Sequence, residues 1–144
     1  MTAPLTVRVV TLGGQPVPER ASAGAAGFDL RAAEDVTLAP GERRLVPTGI
    51  RLEIPPGWEA QVRPRSGLAW KQGLTVLNGP GTIDSDFRGE VGVILIHLGA
   101  SVVTLKAGDR IAQLVFAAVP EVDWRVVDEL ENSDRGRGGF GSTG

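Results

Sequence analysis

Two aspartates and an asparagine lie near one another in the stretch from Leu77 to Leu98. Asn78 opens a Gly/Pro-rich turn, and Asp84 and Asp86 follow a short apolar pair at its far end. A carboxylate held next to a strand can take a proton from an attacking water, which is general base catalysis. Aspartates are also common as solvated turn residues. The stretch therefore predicts either one general base beside a structural turn acid or an ordinary polar turn. A Ca²⁺ loop is disfavoured, because Arg88 stands where another oxygen ligand is needed.

A second group of polar residues, Arg65-Ser66-Gly67, combines a guanidinium, a hydroxyl and a glycine. These groups can clamp a phosphate through charge-assisted hydrogen bonds and backbone N–H groups. The same pattern predicts a short helix with Ser66 as its N-cap and Gly73 at its end, so a plain helix cap is the alternative. Gln113 lies in an apolar strand, where its amide needs a partner from a ligand or from the backbone.

The last residues, Glu131 to Gly144, are rich in glycine and form no apolar pattern. Such a segment cannot build a packed core, so we predict a β domain over residues 1–130 and a flexible tail over residues 131–144. A tail that only improves solubility does not need the aromatic Phe140 or the hydroxyls of Ser142 and Thr143. A lid that stacks on a ring and wraps phosphates does need them.

The elements that must position these residues are predicted to be strands. The 144 residues include 20 glycines and 10 prolines spread along the chain, which favours many short strands with tight connections in an all-β sandwich, barrel or jelly roll. The predicted strands are Leu5–Thr11, Asp35–Leu38, Arg43–Glu53, Trp58–Arg63, Val91–Leu98, Ser101–Leu105, Arg110–Val119 and Val122–Val127. The segment Ala21–Asp29 is predicted to be a loop, and the corner Asp84-Ser85-Asp86 the tip of a hairpin. The single histidine, His97, is predicted to be packed in the core or at an interface.

Charge and cysteine content exclude several classes of protein. With 15 basic and 17 acidic residues the formal charge is -2, whereas a protein that binds nucleic-acid polymers normally shows a basic excess. The absence of cysteine excludes disulfides and thiolate metal sites and suits a reducing cytosol. The first residues do not have the pattern of a signal peptide, and the apolar runs are too short to span a membrane. We therefore expect a cytoplasmic protein with neither a nucleic-acid polymer nor a membrane as partner.

Five stretches of the chain, taken in order, resemble the motifs of the trimeric deoxyuridine triphosphatase (dUTP pyrophosphatase, or dUTPase) family. They are Ala26-Gly27-Phe28-Asp29-Leu30, Pro64-Arg65-Ser66-Gly67-Leu68-Ala69, Asn78 through Gly89, Gly108-Asp109-Arg110-Ile111-Ala112-Gln113, and Arg135 to Gly144. Each motif alone is weak, whereas five in series over most of the chain are very specific.

The resemblance implies a jelly-roll-like homotrimer of the β-clip type, with one short helix in each chain. It implies three active sites at subunit interfaces, each built from three chains: one supplies the loops around Asp29, Ser66 and Gln113, a second the segment around Asp84, and a third its tail. The implied reaction is the hydrolysis of dUTP to dUMP and pyrophosphate with Mg²⁺. This activity would limit uracil incorporation into DNA and supply dUMP for dTMP synthesis.

The resemblance also implies a role for individual residues. Asp84 would activate the water that attacks the α-phosphorus, and Asp29 would hold Mg²⁺ through water. The implied substrate-binding residues are Arg65, Ser66, Gly67, Asn78, Thr82, Ile83, Phe87, Gly92, Gln113, Arg135, Phe140, Gly141, Ser142 and Thr143. The residues between Asn78 and Gly92 would contact uracil and the deoxyribose. Phe140 would stack on uracil, and the other residues would bind phosphates.

One departure from the family pattern is Phe87, where the family usually carries tyrosine. The ring is retained, so we expect exclusion of a 2′-hydroxyl to survive, with the loss of one hydrogen bond.

Two alternatives remain open at this point. A dCTP deaminase would have a similar architecture but needs a glutamate near the base and usually lacks this tail. A non-catalytic trimer that binds nucleotides would belong to a different functional class.

Overall fold

The computed structural model describes residues 2–142, in which ten strands and one short helix are formed. The elements are β1 Arg8–Thr11, β2 Phe28–Arg31, β3 Val36–Leu38, β4 Arg43–Glu53, β5 Trp58–Arg63, α1 Ser66–Gln72, β6 Leu74–Val76, β7 Gly81–Ile83, β8 Glu90–His97, β9 Val103–Leu105 and β10 Arg110–Ala118. The predicted all-β class with one helix is therefore confirmed.

The strands form two four-stranded antiparallel sheets and one two-stranded ribbon. The first sheet has the order β1-β4-β8-β6, and the second has the order β2-β10-β5-β7. The ribbon pairs β3 with β9. Most neighbours are distant in sequence, as in jelly-roll-like folds, where the two sheets are built from alternating parts of the chain.

One hydrophobic core is shared by the two sheets. Val46, Val93 and Leu95 of the first sheet belong to the same buried cluster as Leu30 and Leu114 of the second. In β8 every second residue from Val91 to His97 is buried, which is the period expected of a strand with one face on the core. The alternation predicted for Trp58–Arg63 is confirmed in the same way by β5.

His97 is packed in this core, which is one of the two positions predicted for it, the core or an interface. Only 1% of its surface is exposed. Its Nδ1 accepts the N–H of Gly99 at 3.2 Å, and its Nε2 faces the carbonyl oxygen of Ser101. The ring therefore holds the connection between β8 and β9 and has no contact with the candidate site described below.

The predicted hairpin was wrong, although both of its strands exist. Ile83 of β7 pairs with Ala60 of β5, whereas β8 pairs with β4 and β6 in the other sheet. The turn that contains Asp84 thus crosses from one sheet to the other. Strands that are consecutive in sequence usually pair, but here β7 and β8 each pair with strands that lie further away along the chain.

Three further predictions need correction. Phe28–Arg31 is a strand that sequence analysis missed, since Ala21–Asp29 was predicted to be a loop and the strand depends on its distant partner β10. Ser66 is the first residue of α1 rather than its N-cap, since Arg65 occupies the cap position without a side-chain cap bond. Val122–Val127 is not a strand in the described chain, where it pairs with no other segment and is exposed. Gly73, by contrast, ends the helix with φ 69°, as predicted.

Residues 119–142 form no regular element in the described part of the chain and are mostly exposed. The division between a domain over residues 1–130 and a tail over residues 131–144 stays a prediction. No helix between residues 2 and 142 combines the length and the apolar character that crossing a membrane requires.

Candidate active site

A cavity of about 510 Å³ opens where β7 and β8 separate into different sheets. Six of the predicted site residues line it: Asn78, Thr82, Ile83, Asp84, Phe87 and Gly92. The other lining residues include the apolar Leu45, Pro47, Val62 and Ile94 and the acidic Glu90. A concave, mostly apolar site with a few polar groups is the usual form of a small-molecule pocket.

Asp84 is the first residue after β7, at the start of a tight turn. The N–H of Phe87 donates to the carbonyl oxygen of Asp84 at 3.2 Å, which closes the turn. Asp84 lines the cavity, whereas Asp86, on the same turn, does not. The geometry therefore separates two aspartates that the sequence pattern left equivalent.

The ring of Phe87 rests against the backbone of Gly89. A β carbon on residue 89 would lie 2.6 Å from Cζ of the ring, closer than real contacts allow. Glycine is therefore required at position 89 for the ring to adopt this position at the cavity wall. A phenolic oxygen would extend from the same Cζ atom.

Glycines also bring the backbone close to the cavity on its other sides. A β carbon on Gly81 would lie 3.1 Å from Nδ2 of Asn78, and one on Gly92 would lie 2.5 Å from Cδ1 of Leu45. The bare backbone of Gly92 is thus partly covered by Leu45, whose partner across the β4–β8 ladder is Ile94. Because these glycines have no side chain, backbone N–H and C=O groups form part of the cavity wall and can contact a ligand directly.

A second group of predicted residues gathers around β10, at the start of α1. Gln113 donates from Nε2 to the carbonyl oxygen of Pro64 at 3.0 Å, and Arg65 donates from Nη1 to that of Arg110 at 3.2 Å. The backbone alternative for the Gln113 amide is thus realised. Asp29 lies directly opposite Gln113 in the β2–β10 ladder. The structure therefore joins three of the predicted motifs into one cluster.

Arg110 completes this cluster, although it was not among the predicted site residues. Its Nη1 lies 3.8 Å from Oδ2 of Asp29, whose side chain is 18% exposed. The signal that pointed to Arg110 was its place beside Asp109 in the fourth motif. In the turn that precedes it, Asp109 accepts the N–H of Lys106 at 2.8 Å.

The described residues do not form a metal cage. No group of three or more His, Asp or Glu side chains in residues 2–142 is arranged to hold a metal ion. Although the guanidinium of Arg110 lies 3.8 Å away, the Asp29 carboxylate could contact a hydrated cation whose other ligands come from elsewhere. This fits Mg²⁺, which keeps several waters and is often bound through substrate phosphates.

The tail residues that the structure describes, up to Ser142, do not line the cavity in the single chain. Arg135 turns back on its own segment and donates from Nε to the carbonyl oxygen of Gly138 at 2.7 Å. Phe140 is fully exposed and has a positive φ of 51°, an unusual conformation for a residue with a side chain. Ser142 donates its N–H to the carbonyl oxygen of Gly139. Thr143 lies outside the described residues.

Comparisons with known proteins show which family the chain is similar to. A family model described as dUTPase matches residues 14–144. The deoxyuridine 5'-triphosphate nucleotidohydrolase of Anaeromyxobacter sp. (strain Fw109-5) is 60% identical, with 98% of this chain and 99% of the relative covered.

Solved structures give the same result at lower identity. The dUTPase of Staphylococcus bacteriophage 80alpha with dUPNHPP superposes with a TM-score of 0.87 at 28% identity, over 96% of this chain and 98% of that one. A mutant dUTPase from phage phi11 of S. aureus, described for its coordination of a structural Mg(II) ion, has a TM-score of 0.79 at 25% identity, over 88% and 99% of the two chains. The agreement of motifs, fold and near full-length similarity leads to one conclusion: this chain belongs to the dUTPase family.

Proposed function

We propose that this protein is a dUTP diphosphatase, which hydrolyses dUTP to dUMP and pyrophosphate by attack of water on the α-phosphorus. The observation that carries the proposal is the position of Asp84 on the wall of a cavity of about 510 Å³ that also contains Asn78, Phe87 and Gly92. Membership of the dUTPase family supports the same reaction.

Asp84 acts as the general base in this proposal. Its carboxylate holds the water, takes its proton and leaves a hydroxide in line with the α-phosphorus and the departing pyrophosphate. A positioned base contributes about 10²–10⁴-fold to the rate. The tight turn supports this role, because it holds the carboxylate at the cavity while Asp86 lies outside it.

The cavity walls would select the uracil base. Uracil presents an N–H donor at N3 and an acceptor at C4, and cytosine reverses both. Asn78, Thr82 and the backbone of Ile83 and Gly92 supply the complementary groups. When a mismatched base leaves buried polar groups unpaired, discrimination can reach ~10⁴ or more. A wall closed by Leu45 leaves little room beside Gly92, so the methyl group of thymine would also be excluded.

Phe87 would pack against the deoxyribose and leave no space for a 2′-hydroxyl. The contact of its ring with Gly89 supports this role, because it limits how far the ring can retreat. The hydroxyl that tyrosine carries in the family is missing here, and one such hydrogen bond contributes about 0.5–1.5 kcal/mol.

The cluster around β10 would bind the triphosphate. Arg65, Ser66, Gly67 and Gln113 supply a positive charge, a hydroxyl, backbone N–H groups and an amide. Asp29 would hold Mg²⁺ through water, and this ion would neutralise phosphate charge when bound. The arrangement of Asp29 and Gln113 as ladder partners supports a shared role, since their side chains leave the same face of the sheet.

We infer that three chains complete each site. In the single chain neither the phosphate-binding cluster nor the described tail lines the cavity around Asp84. A trimer would bring these parts together from different chains, with Arg135 on the terminal phosphate, Phe140 on uracil, and Gly141, Ser142 and Thr143 on further phosphate oxygens. The outer face of β4 and β8 supports association, because Leu45 is 65% exposed there next to the outward-facing Ile94 and Ile96.

The experiment that tests the proposal is pyrophosphate release from each deoxynucleoside triphosphate, with and without Mg²⁺. We expect release from dUTP, little from the others, and a strong dependence on Mg²⁺. Ammonia release from dCTP would favour a deaminase instead, and the absence of pyrophosphate from dUTP would contradict the proposed function. The deaminase alternative is not favoured by the relative of 60% identity, which is a nucleotidohydrolase.

A further inference from the structure

The turn from Asp84 to Gly89 carries the chain from one sheet to the other. It must also hold the Asp84 carboxylate and the Phe87 ring in a fixed relative position. Its internal backbone bond, from the N–H of Phe87 to the carbonyl of Asp84, is 3.2 Å long. Asp84, Asp86, Phe87 and Arg88 are all exposed, so burial does little to hold the turn. Its shape therefore depends on side chains that bind its carbonyl groups.

Arg88 supplies such contacts. Its Nη1 donates to the carbonyl oxygen of Ser85 at 2.6 Å and to that of Phe87 at 3.1 Å. One guanidinium nitrogen thus joins the two sides of the turn that carries Asp84. Hydrogen bonds from a charged donor are about twice as strong as those between neutral groups.

The next link attaches Arg88 to the frame of the first sheet. Its own carbonyl oxygen accepts a hydrogen bond from Nε of Arg51 at 2.7 Å, and Arg51 is the ladder partner of Glu90 across β4 and β8. The turn is therefore bound through its carbonyls to Arg88 on one side and to a rigid strand on the other.

An ion pair accompanies these contacts but does not determine the shape of the turn. Oε1 of Glu53 lies 3.8 Å from Nε of Arg88, and the two side chains are 43% and 49% exposed. An exposed pair at this distance contributes little, since such pairs are typically worth about 0–1 kcal/mol. Glu53 also pairs with Arg8, at 3.1 Å. It therefore offers a control that removes charge near Arg88 without removing a donor to the turn.

We propose that Arg88 is a positioning residue for the reaction proposed above, on which this inference depends. Its guanidinium holds the Asp84–Phe87 turn so that the Asp84 carboxylate and the Phe87 ring face the cavity together. Without it, the two groups lose their fixed relation, and the enzyme loses both turnover and discrimination against a 2′-hydroxyl. Arg88 itself does not line the cavity.

The test compares Arg88→Gln, Arg88→Lys and the control Glu53→Gln in the full chain. We expect Arg88→Gln to lower kcat on dUTP by about tenfold to a hundredfold, since a displacement of about 1 Å can cost 10². The ratio of kcat/KM for dUTP to that for UTP should fall several-fold. Arg88→Lys retains charge and donors and should recover part of both losses, and Glu53→Gln should match the unsubstituted protein.

The ratio of kcat/KM for dUTP to that for UTP is the decisive measurement, because both substrates are assayed on the same preparation. A variant that is only less stable loses activity on both in equal proportion, and its Tm falls. Such a result for Arg88→Gln, or an unchanged kcat, would overturn the proposal, as would an equal loss in Glu53→Gln. If the unsubstituted protein releases no pyrophosphate from dUTP, the proposed function fails and this inference fails with it. If it does release pyrophosphate, a negative result on Arg88 leaves the proposed function intact.

Discussion

Asp29 and Gln113 are direct partners in the antiparallel ladder between β2 and β10, so their side chains leave the second sheet on the same face. Gly27, two residues before Asp29, makes room for the Gln113 amide. A β carbon on residue 27 would overlap with Oε1 of Gln113 and lie 3.2 Å from its Cβ. The first and fourth sequence motifs are therefore parts of one three-dimensional contact.

The first prediction follows from this contact. Gly27→Ala should push the Gln113 amide off the carbonyl of Pro64 and destabilise the fold by about 1–3 kcal/mol, as overpacking usually does. The KM for dUTP should rise because Gln113, which we propose binds phosphate, is displaced. Steady-state kinetics and thermal unfolding measure the two effects. Gly24→Ala is the matched control, since no atom lies within 4 Å of a β carbon there. Equal behaviour of the two variants would contradict the packing argument.

Asp84→Asn should abolish most of the turnover while leaving the fold intact. The amide keeps the shape of the carboxylate but cannot accept the proton of the attacking water. We expect kcat to fall by about 10²–10⁴-fold. Equilibrium binding of a non-hydrolysable dUTP analogue should change little. Near-normal turnover would remove Asp84 as the base. Asp86→Asn is the natural control, because Asp86 does not line the cavity.

Mixing two inactive variants tests whether sites are shared between chains. Asp84→Asn lacks the proposed base, and a chain truncated after Asn132 lacks the tail. If each site takes these parts from different chains, mixed trimers contain sites with both an intact Asp84 and an intact tail. Turnover should then return in part after subunit exchange. Native mass spectrometry identifies the mixed assemblies, and their complete inactivity would contradict the shared-site proposal.

Phe87→Tyr should strengthen substrate binding modestly. The new hydroxyl extends from Cζ, next to Gly89, and can add one hydrogen bond worth about 0.5–1.5 kcal/mol. We expect the KM for dUTP to fall by up to about tenfold, with the ratio of dUTP to UTP hydrolysis unchanged because the ring is common to both proteins. If the unsubstituted protein hydrolysed UTP nearly as fast as dUTP, the role of Phe87 in sugar selection would be wrong.

The pH dependence of stability should reveal Asp35, which holds the turn before β10. The N–H of Ala107, which donates to its carboxylate at 2.8 Å, and the nearby Lys106 keep the pKa of Asp35 below its ordinary value of 3.8. A carboxyl whose folded pKa is depressed adds stability above the unfolded pKa, and this stability disappears as the pH falls through the folded pKa.

Asp35→Asn should therefore lower Tm at neutral pH, and the difference from the unsubstituted protein should shrink as the pH falls below about 4. Lys106→Gln should have a smaller effect, because the backbone hydrogen bond is the larger cause of the shift. Thermal unfolding between pH 2 and 7 measures both. A difference for Asp35→Asn that stays constant with pH would show that its charge does not contribute.

The accuracy of the sequence-based predictions depended on how local each feature is. The bounds of Arg43–Glu53 and Trp58–Arg63 were correct, because alternation and the adjacent turn residues define a strand locally. Val122–Val127 shows a similar alternation but has no partner strand in the described chain, so the same signal failed. The β2 strand was missed because its pairing with β10 depends on residues far away in sequence.

The amino-acid sequence by itself determined the all-β class and the family and predicted which residues would carry the chemistry, because periodicity, turn residues and motifs are properties of neighbouring positions. Only the tertiary structure decided that β7 and β8 lie in different sheets, that Asp84 rather than Asp86 lines the cavity, and that Arg88 binds the turn between them. Each of these depends on contacts between distant segments. Such contacts form only when the two sheets pack around one core, and no local pattern encodes them.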